Sequence, residues 1–168
     1  MDRVLLGAGG TGRVFQEGDR VIKETPHVPL GRYERQALVE LGPLGLAPAL
    51  HPTDTGSDRE LVMEYVAGQT LEKLGTVQPR LAADLGAALA QIHKAGWTHG
   101  DVNAGNVLIT SGGVIFIDWG TGQPSVDSPL VQQDLQRLVE LLVLYGTNSG
   151  EDLARLAYRA YAEIRDQI

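Results

Sequence analysis

The sequence predicts an α+β protein of two lobes, a small β-rich lobe followed by a mainly helical one. Short β-rich runs separated by turn residues fill most of residues 1–66, with one helical pattern among them. After residue 79, apolar residues recur at three- and four-residue intervals, as on helices. The 168 residues suffice for one domain and are few for two, so we expect a single domain of residues 1–168. Its N-lobe spans about residues 1–66 and its C-lobe about residues 69–168, with a hinge between them.

The N-lobe pattern begins with an apolar run, Val4–Leu6, that leads into a glycine-rich segment. Two β-rich runs around a turn at residues 17–19 predict an antiparallel hairpin. Residues 31–41 place their apolar side chains on one side of a helix that Gly42 ends. Residues 59–66 then predict another strand, which leads to the hinge.

The C-lobe pattern begins with a helix that has Pro79 in its first turn and Gly96 past its end. Two β-rich runs at 106–110 and 114–117 predict a second hairpin. Two amphipathic helices follow, and residues 149–152 predict a capping box at the start of the last one. The apolar stripes of the three helices are Leu81, Leu85, Leu89 and Ile92; Val131, Leu135, Leu138 and Leu142; and Leu153, Leu156, Ala160 and Ile164.

Composition excludes several classes of function. The chain has no cysteine, so disulfides, thiolate nucleophiles and cysteine-ligated zinc are excluded. A net charge of −7 disfavours indiscriminate binding to nucleic acid. The sequence shows neither a signal peptide nor a run of about 18 apolar residues, so we expect a cytoplasmic protein without a membrane span.

Glycines at positions 7, 9 and 12, followed by Val14, predict a glycine-rich loop that admits two interpretations. Glycines let backbone N–H groups approach phosphate oxygens closely. In a dinucleotide-binding unit the third glycine would open a helix, but here a strand pattern follows, which argues against that unit. The spacing alone is a weak signal in a chain with 21 glycines.

A set of polar residues in a fixed order supports the interpretation that the glycine-rich loop binds phosphate. Lys23 ends the hairpin's second strand, and Glu34 near the start of the next helix can pair with it, with Glu40 as a rival. Asp101 and Asn106 lie five residues apart before the second hairpin, and Asp118 closes that hairpin. Phosphoryl transfer needs a cation on the phosphates, oxygen ligands for Mg²⁺ and an acceptor that orients the nucleophile.

These motifs resemble those of the protein-kinase-like superfamily over nearly the whole chain. Its signature elements appear here in order as Gly7 to Val14, Val21-Ile22-Lys23, His99-Gly100-Asp101 with Asn106, and Asp118-Trp119-Gly120. The resemblance implies a two-lobed kinase fold that binds ATP and Mg²⁺. In the roles it implies, Lys23 contacts the phosphates and pairs with Glu34, Asp101 is the catalytic base, Asn106 and Asp118 ligate Mg²⁺, and Gly7, Gly9, Gly12 and Val14 cover the nucleotide.

The resemblance extends to two further features. Residues 63–66 are similar to the hinge that binds adenine through its backbone, which places Glu64 and Val66 at the base. Asp134 is similar to the buried aspartate that anchors the catalytic loop. His99 is expected to pack within that loop, and Trp119 to fill the core beside Asp118.

The chain also departs from ordinary protein kinases. Gly100 replaces an arginine that often pairs with a phosphorylated activation loop, and no Ala-Pro-Glu follows Gly120. The compact size resembles small atypical kinases of the RIO and KEOPS type, whereas the spelling of the motifs is similar to aminoglycoside and choline phosphotransferases. The resemblance implies an atypical Ser/Thr protein kinase or a partner-regulated ATPase. The alternatives are a small-molecule kinase and a nucleotide-binding pseudokinase scaffold. Expected partners are ATP, a protein or small-molecule hydroxyl acceptor and an activating protein.

Overall fold

The computed structural model of the protein describes residues 3–9, 12–25, 31, 33–147 and 149–166. Within them, a four-stranded antiparallel sheet and one helix form the N-lobe, and three long helices with a small three-stranded sheet form the C-lobe. The fold is therefore α+β, as the sequence predicted, and has the architecture of a small kinase-like protein.

The N-lobe sheet has its strands in chain order, because each pairs with the next along the sequence. The β-branched residues that favour strands fill its centre. Glycines 7 and 9, expected in a loop, belong to the first strand, and Gly12 opens the second. The strands are β1 Val4–Gly9, β2 Gly12–Glu17, β3 Arg20–Glu24 and β4 Glu60–Glu64.

The N-lobe helix α1 runs over Glu34–Leu41 and a 3₁₀ turn over Gly42–Leu44 extends it. It starts three residues after the predicted beginning. One face of α1, with Ala37, Leu38 and Leu41, is buried in the hydrophobic core. The strand predicted over residues 59–66 is shorter than expected, since β4 ends at Glu64 and the hinge follows it.

The C-lobe helices match the three apolar stripes. Helix α2 and strand β5 were not predicted, because four and two residues are too short to show a periodicity. The second sheet has the order β5-β6-β7. The elements are β5 Gln69–Thr70, α2 Leu71–Leu74, α3 Pro79–Lys94, β6 Val107–Thr110, β7 Gly113–Phe116, a 3₁₀ turn Trp119–Thr121, α4 Ser128–Tyr145 and α5 Gly150–Arg165.

The capping box predicted at residues 149–152 is wrong. Ser149 lies at the N-cap of α5, but its side chain makes no capping hydrogen bond. Its carbonyl oxygen instead accepts a hydrogen bond from the Asp152 amide at 3.0 Å. The first turn of α5 is therefore closed by backbone hydrogen bonds, without a contribution from the Ser149 side chain.

Helices α3 and α5 pack closely because Gly86 has no side chain. A Cβ at Gly86 would lie 2.0 Å from the carbonyl oxygen of Ala157. The contact continues along both helices to His93 and Tyr161, whose rings meet edge to face at 5.5 Å. This close approach fixes the last helix against the one that leads into the candidate site.

One hydrophobic core joins the two lobes. Leu38 of α1 and Leu61 of β4 belong to the same buried cluster as Leu89 of α3 and Phe116 of β7. A backbone hydrogen bond of 3.1 Å from Phe116 to Leu46 also crosses between the lobes. Among the helices of the described residues, none combines the length and apolar character needed to cross a membrane.

Candidate active site

Lys23, from β3, joins the two lobes at the candidate site. Its Nζ donates to Glu34 Oε1 of α1 at 2.7 Å and to Asp118 Oδ1 at 2.8 Å. Glu34 and Asp118 lie 11 and 95 residues away in sequence. Glu40, the rival partner, instead accepts a hydrogen bond from the Trp97 indole at 2.7 Å. The fold thus brings together the lysine, the helix carboxylate and the aspartate of the second hairpin.

Burial and charge act in opposite directions on this cluster. Burial alone lowers the pKa of Lys23, but the charges of Glu34 and Asp118 and their hydrogen bonds outweigh it, so the pKa lies above its usual value. Burial raises the pKa of Glu34, and the Lys23 ammonium offsets only part of that rise. The Glu34 side chain is 3% exposed, and its Oε2 has no hydrogen-bond partner among the described residues.

The segment from Asp118 to Gly120 lies against the start of the N-lobe helix. A Cβ at Gly31 would come 2.4 Å from the carbonyl oxygen of Gly120. Asp118 itself has φ of 60°, and among the described residues no other non-glycine has a positive φ. Such a backbone conformation costs on the order of 1–3 kcal/mol and is commonest at functional sites. The Asp118 side chain is 58% exposed, so its carboxylate is accessible to a ligand.

The side chain of Asp134, in α4, holds the loop that carries Asp101 through hydrogen bonds to its backbone. Asp134 is fully buried, and its carboxylate accepts hydrogen bonds from the amides of His99, at 2.8 Å, and Gly100, at 2.9 Å. Gly100 has φ of 80°, and a Cβ there would contact the Thr121 carbonyl at 2.7 Å. The backbone of the loop can turn at position 100 because this residue is a glycine.

His99 packs inside the same loop, as expected. Its Nε2 is 3.0 Å from the carbonyl oxygen of Ile117, and its Nδ1 accepts from the Asp101 amide at 3.3 Å. Because a carbonyl only accepts, the ring proton belongs on Nε2. Burial lowers the pKa of His99, although the negative charge of Asp134 acts to raise it. The neutral ring fixes the start of the loop and touches Trp119, which is fully buried.

Asp101 and Asn106 form a pair at the mouth of the site. The Asn106 amide nitrogen donates to Asp101 Oδ2 at 2.9 Å and to the Asp101 carbonyl at 3.0 Å. Both donor contacts are on the nitrogen, so the amide oxygen of Asn106 is left to accept or to ligate. The Asn106 carbonyl accepts from Ile117, the residue before Asp118, at 2.9 Å. Asp101 and Asn106 are thus joined by hydrogen bonds, and Asn106 also holds the backbone of the residue that precedes Asp118.

The predicted nucleotide-binding residues lie on the N-lobe strands and the hinge. Val14 pairs across the sheet with Gly7 on one side and with Lys23 on the other. Gly12 has φ of 151°, and a Cβ there would meet the Glu24 carbonyl at 2.0 Å. Glu64 ends β4, where its amide donates to Ala49. The last two predicted residues are Gly9, which pairs with Gly12, and Val66, which lies between β4 and β5.

A concave site of about 450 Å³ opens beside Asp101, between the loop that carries Asp101 and α4. Its charged lining residues are Asp101, Glu72, Arg137 and Glu140, and Arg137 is bound to Glu140 at 2.8 Å. The sequence did not point to Glu72 or Glu140, because neither belongs to a motif. Spacing also gave no signal for His93 and Tyr161, which contact each other across 68 residues.

Comparison with known proteins agrees with this geometry. Residues 32–156 match the family model of the RIO domain. The chain is 30% identical over 101 residues to a probable bifunctional tRNA threonylcarbamoyladenosine biosynthesis protein of Methanobrevibacter smithii, covering 59% of this chain and 17% of that protein. It is 32% identical over 68 residues to the KEOPS complex subunit Bud32 of Pyrococcus abyssi, covering 38% of this chain and 31% of that protein.

A bacterial relative extends the comparison. The serine/threonine-protein kinase PksC of Streptomyces coelicolor is 31% identical over 148 residues, covering 68% of this chain and 26% of that protein. In each of these three comparisons the chain spans less than a third of the relative's length. The relatives support a family of atypical kinases or ATPases. Because the matched residues make up most of the chain, the protein belongs to the RIO-domain family of atypical, protein-kinase-like proteins.

Proposed function

We propose that the protein transfers the γ-phosphoryl group of Mg²⁺-ATP to a protein serine or threonine, or to water as a partner-regulated ATPase. The observation that carries the proposal is the position of Lys23 Nζ between Glu34 and Asp118, at 2.7 and 2.8 Å. This contact joins the phosphate-binding strands to the segment proposed to hold the metal. A lysine that is 13% exposed and bound on two sides is pre-positioned rather than freely solvated.

The nucleotide would lie between the lobes. Lys23 would contact its α- and β-phosphates, and glycines 7, 9 and 12 with Val14 would cover them from above. Adenine would meet the hinge, where the Glu64 amide is already bonded to Ala49, so the Glu64 carbonyl and the Val66 amide are the groups proposed to bind it. This arrangement needs no movement of Glu34, which already holds Lys23.

Asn106 and Asp118 fit a Mg²⁺ ion. Mg²⁺ takes oxygen ligands and is usually bound by one or two carboxylates together with substrate phosphates. Asp118 offers an exposed carboxylate, and the amide oxygen of Asn106 is directed away from its two donor contacts. A bound Mg²⁺ would neutralise charge on the phosphates during transfer. No group of three or more His, Cys, Asp or Glu side chains within the described residues is arranged to hold a metal ion.

Asp101 is proposed as the catalytic base. Its side chain is exposed at the mouth of the site, and Asn106 fixes the orientation of its carboxylate. Its Oδ2 accepts only the Asn106 hydrogen bond among the described residues, so the carboxylate can also accept the proton of an incoming hydroxyl. Asp134 holds the amides of the two residues before Asp101, and the His99 ring accepts from the amide of Asp101 itself.

The test is incubation of the purified protein with Mg²⁺ and γ-labelled ATP, alone and with a generic protein acceptor. Asp101→Ala and Asp118→Ala should each abolish label transfer to protein and release of phosphate. Asp84→Asn, on the exposed side of α3, is the matched control and should keep both. Mg²⁺-dependent label that survives in either alanine variant would contradict the proposal, as would absence of ATP binding in the wild type by thermal shift.

The concave site beside Asp101 supports a second candidate, a small-molecule kinase. Glu72, Asp101 and Glu140 give this site more negative than positive charge, since Arg137 is its one lining cation and is bound to Glu140. An amino sugar or amino alcohol would place an ammonium group there and a hydroxyl at Asp101. If a panel of such acceptors is labelled and protein is not, this candidate replaces the protein kinase. Glu72→Gln should then raise KM for the cationic acceptor and leave KM for ATP unchanged.

An activating protein partner is proposed as well. One relative is named as a subunit of a complex, the KEOPS complex subunit Bud32. On α4 of this chain, Val143 and Leu144 are 62% and 76% exposed, close to the concave site that Leu144 also lines. A protein bound over these residues would reach the acceptor site directly.

A further inference from the structure

A buried polar chain connects the last helix to the loop that carries Asp101. Tyr161 of α5 lies with its hydroxyl 2.8 Å from His93 Nδ1, and His93 Nε2 lies 3.1 Å from Asp134 Oδ2. Asp134 accepts in turn from the amides of His99 and Gly100. Tyr161, His93 and Asp134 are 7%, 1% and 0% exposed, so water does not substitute for these contacts.

We propose that Tyr161 is a positioning residue for the catalytic loop, acting through His93 and Asp134. The inference rests on the proposed function, because the loop matters for catalysis only if Asp101 is the base. Tyr161 does not touch the reacting atoms. It lies outside residues 32–156, which match the RIO domain, so the role is assigned from this chain's own contacts.

The direction of each hydrogen bond follows from what the groups can do. The Asp134 carboxylate only accepts, so His93 donates to it from Nε2. In that tautomer His93 Nδ1 carries a lone pair, and the Tyr161 hydroxyl donates to it. The Asp134 carboxylate thus sets the tautomer of His93, and Tyr161 sets the ring angle at which that N–H meets Asp134. Without the hydroxyl, Nδ1 loses its partner and the ring can turn away from Asp134.

Loss of the His93 donor would affect the loop because Asp134 serves three donors at once. Its Oδ2 accepts from both His93 and the His99 amide, and its Oδ1 accepts from Gly100. A fully buried carboxylate is stable only when such donors compensate its lost hydration. With the His93 N–H turned away, Oδ2 loses one of its two donors and the carboxylate can shift relative to the two amides. Asp101, one residue past Gly100, would then lose its fixed position.

Helix α5 is rigid enough for this role. Gly86 lets Ala157 approach to a backbone contact, and Tyr161 follows one turn later on α5. Tyr158, on the same helix, is 60% exposed and has its ring centroid 6.2 Å from that of Tyr161. It shares the helix and the chemistry of Tyr161 but not the contact to His93, which makes it the matched control.

The experiment compares Tyr161→Phe with Tyr158→Phe and the wild type in the full chain. Nitrogen-15 NMR of the imidazole rings should show His93 with its proton on Nε2 in all three proteins. The Nδ1 chemical shift of His93 should match the wild type in Tyr158→Phe and differ in Tyr161→Phe, where the hydroxyl donor is gone. Amide hydrogen exchange at His99 and Gly100 should become about tenfold faster in Tyr161→Phe, while α3 amides such as Leu89 keep their rates. Turnover should fall about tenfold with KM for ATP unchanged.

The outcomes separate this inference from the proposed function. If neither the wild type nor the variants turn over ATP but the His93 Nδ1 shift and the exchange rates change as expected, the proposed function fails and the positioning contact stands. A wild-type His93 with its proton on Nδ1 overturns the inference, and this reading does not depend on how well the Phe variant folds. Unchanged exchange and turnover in a folded Tyr161→Phe overturn it too, as does a uniform loss of protection that includes α3.

Discussion

At the scale of single residues, Lys23 and Glu34 decide how the site is charged. Glu34 is 2% exposed, and within the described residues Lys23 is the cation bound to it. Lys23→Met keeps an unbranched side chain but leaves a buried carboxylate without its partner. We expect loss of phosphoryl transfer and a loss of about 3 kcal/mol in the free energy of unfolding near neutral pH.

The pH dependence of that loss has a definite sign. Burial raises the pKa of Glu34, and removal of Lys23 raises it further. A raised carboxyl pKa means that the folded state binds the proton more tightly, so stability is greater at low pH and is lost as pH rises through that pKa. Urea unfolding at about pH 5 should therefore show a smaller deficit for Lys23→Met than at about pH 7.5. Lys23→Met/Glu34→Gln should recover stability without activity; no recovery would contradict this account.

His99 supplies a second pH dependence, with the opposite sign. Burial lowers its pKa below the ordinary value of 6.5, so the folded state resists protonation. Stability is complete above about pH 6.5 and falls by up to about 1.4 kcal/mol per pH unit below it, until the lowered pKa is passed. His99→Gln can still donate to Ile117 but does not titrate. Urea unfolding from about pH 8 to about pH 5 should thus show a shallower acid loss in the Gln variant than in the wild type. Equal slopes would mean that another group controls the acid loss.

At the scale of elements, the contact between α3 and α5 depends on one missing side chain. In an open helix position Gly→Ala stabilises by about 1 kcal/mol, since Ala is the better helix former. At Gly86 the new Cβ would lie 2.0 Å from the Ala157 carbonyl, and backbone cannot rotate away. We expect Gly86→Ala to destabilise by about 1–3 kcal/mol in urea unfolding. Asp84→Ala, exposed on the same helix, should be neutral or stabilising. A stabilised Gly86→Ala would show that the helices do not touch here.

The elements also show what sequence can and cannot predict. Long helices such as α3 and α4 were predicted because their stripes repeat over several turns. The two-residue strand β5 was missed, and the capping box at Ser149 was wrong, because local patterns of a few residues depend on tertiary context. Glycines at 7 and 9 were expected in a loop, but strand pairing extends through them.

In the candidate site, too, some features were predicted from the sequence and others were not. Lys23 and Asp118 were both predicted to belong to the site although they lie 95 residues apart, because the order of the motifs carries that information, but their direct contact was not predicted. The meeting of His93 with Tyr161 has no motif, so only the packing of α3 on α5 shows it. Chemistry shared with a family was thus visible in the sequence, whereas contacts built by this chain's own packing were not.

At the scale of the whole molecule, the two lobes should unfold together. Leu38 of α1 and Leu89 of α3 belong to one buried cluster that runs through both lobes, and the Lys23–Asp118 pair ties their polar edges. We therefore expect one cooperative transition, with equal calorimetric and van't Hoff enthalpies. The fluorescence of Trp97 and Trp119, both buried, should follow the same curve as far-ultraviolet circular dichroism.

Two core variants make the expectation of a single domain testable. Leu38→Ala in the N-lobe and Leu89→Ala in the C-lobe should each cost about 2–5 kcal/mol, because each leaves a cavity in the shared cluster. If the lobes form one cooperative unit, each variant lowers the midpoint of the whole transition and both probes move together. If they are separate domains, each variant shifts one of two transitions, and the tryptophans respond to only one of them. That result would assign the residues before and after the hinge to two domains and would make lobe closure, rather than a fixed core, the step that assembles Lys23 with Asp118.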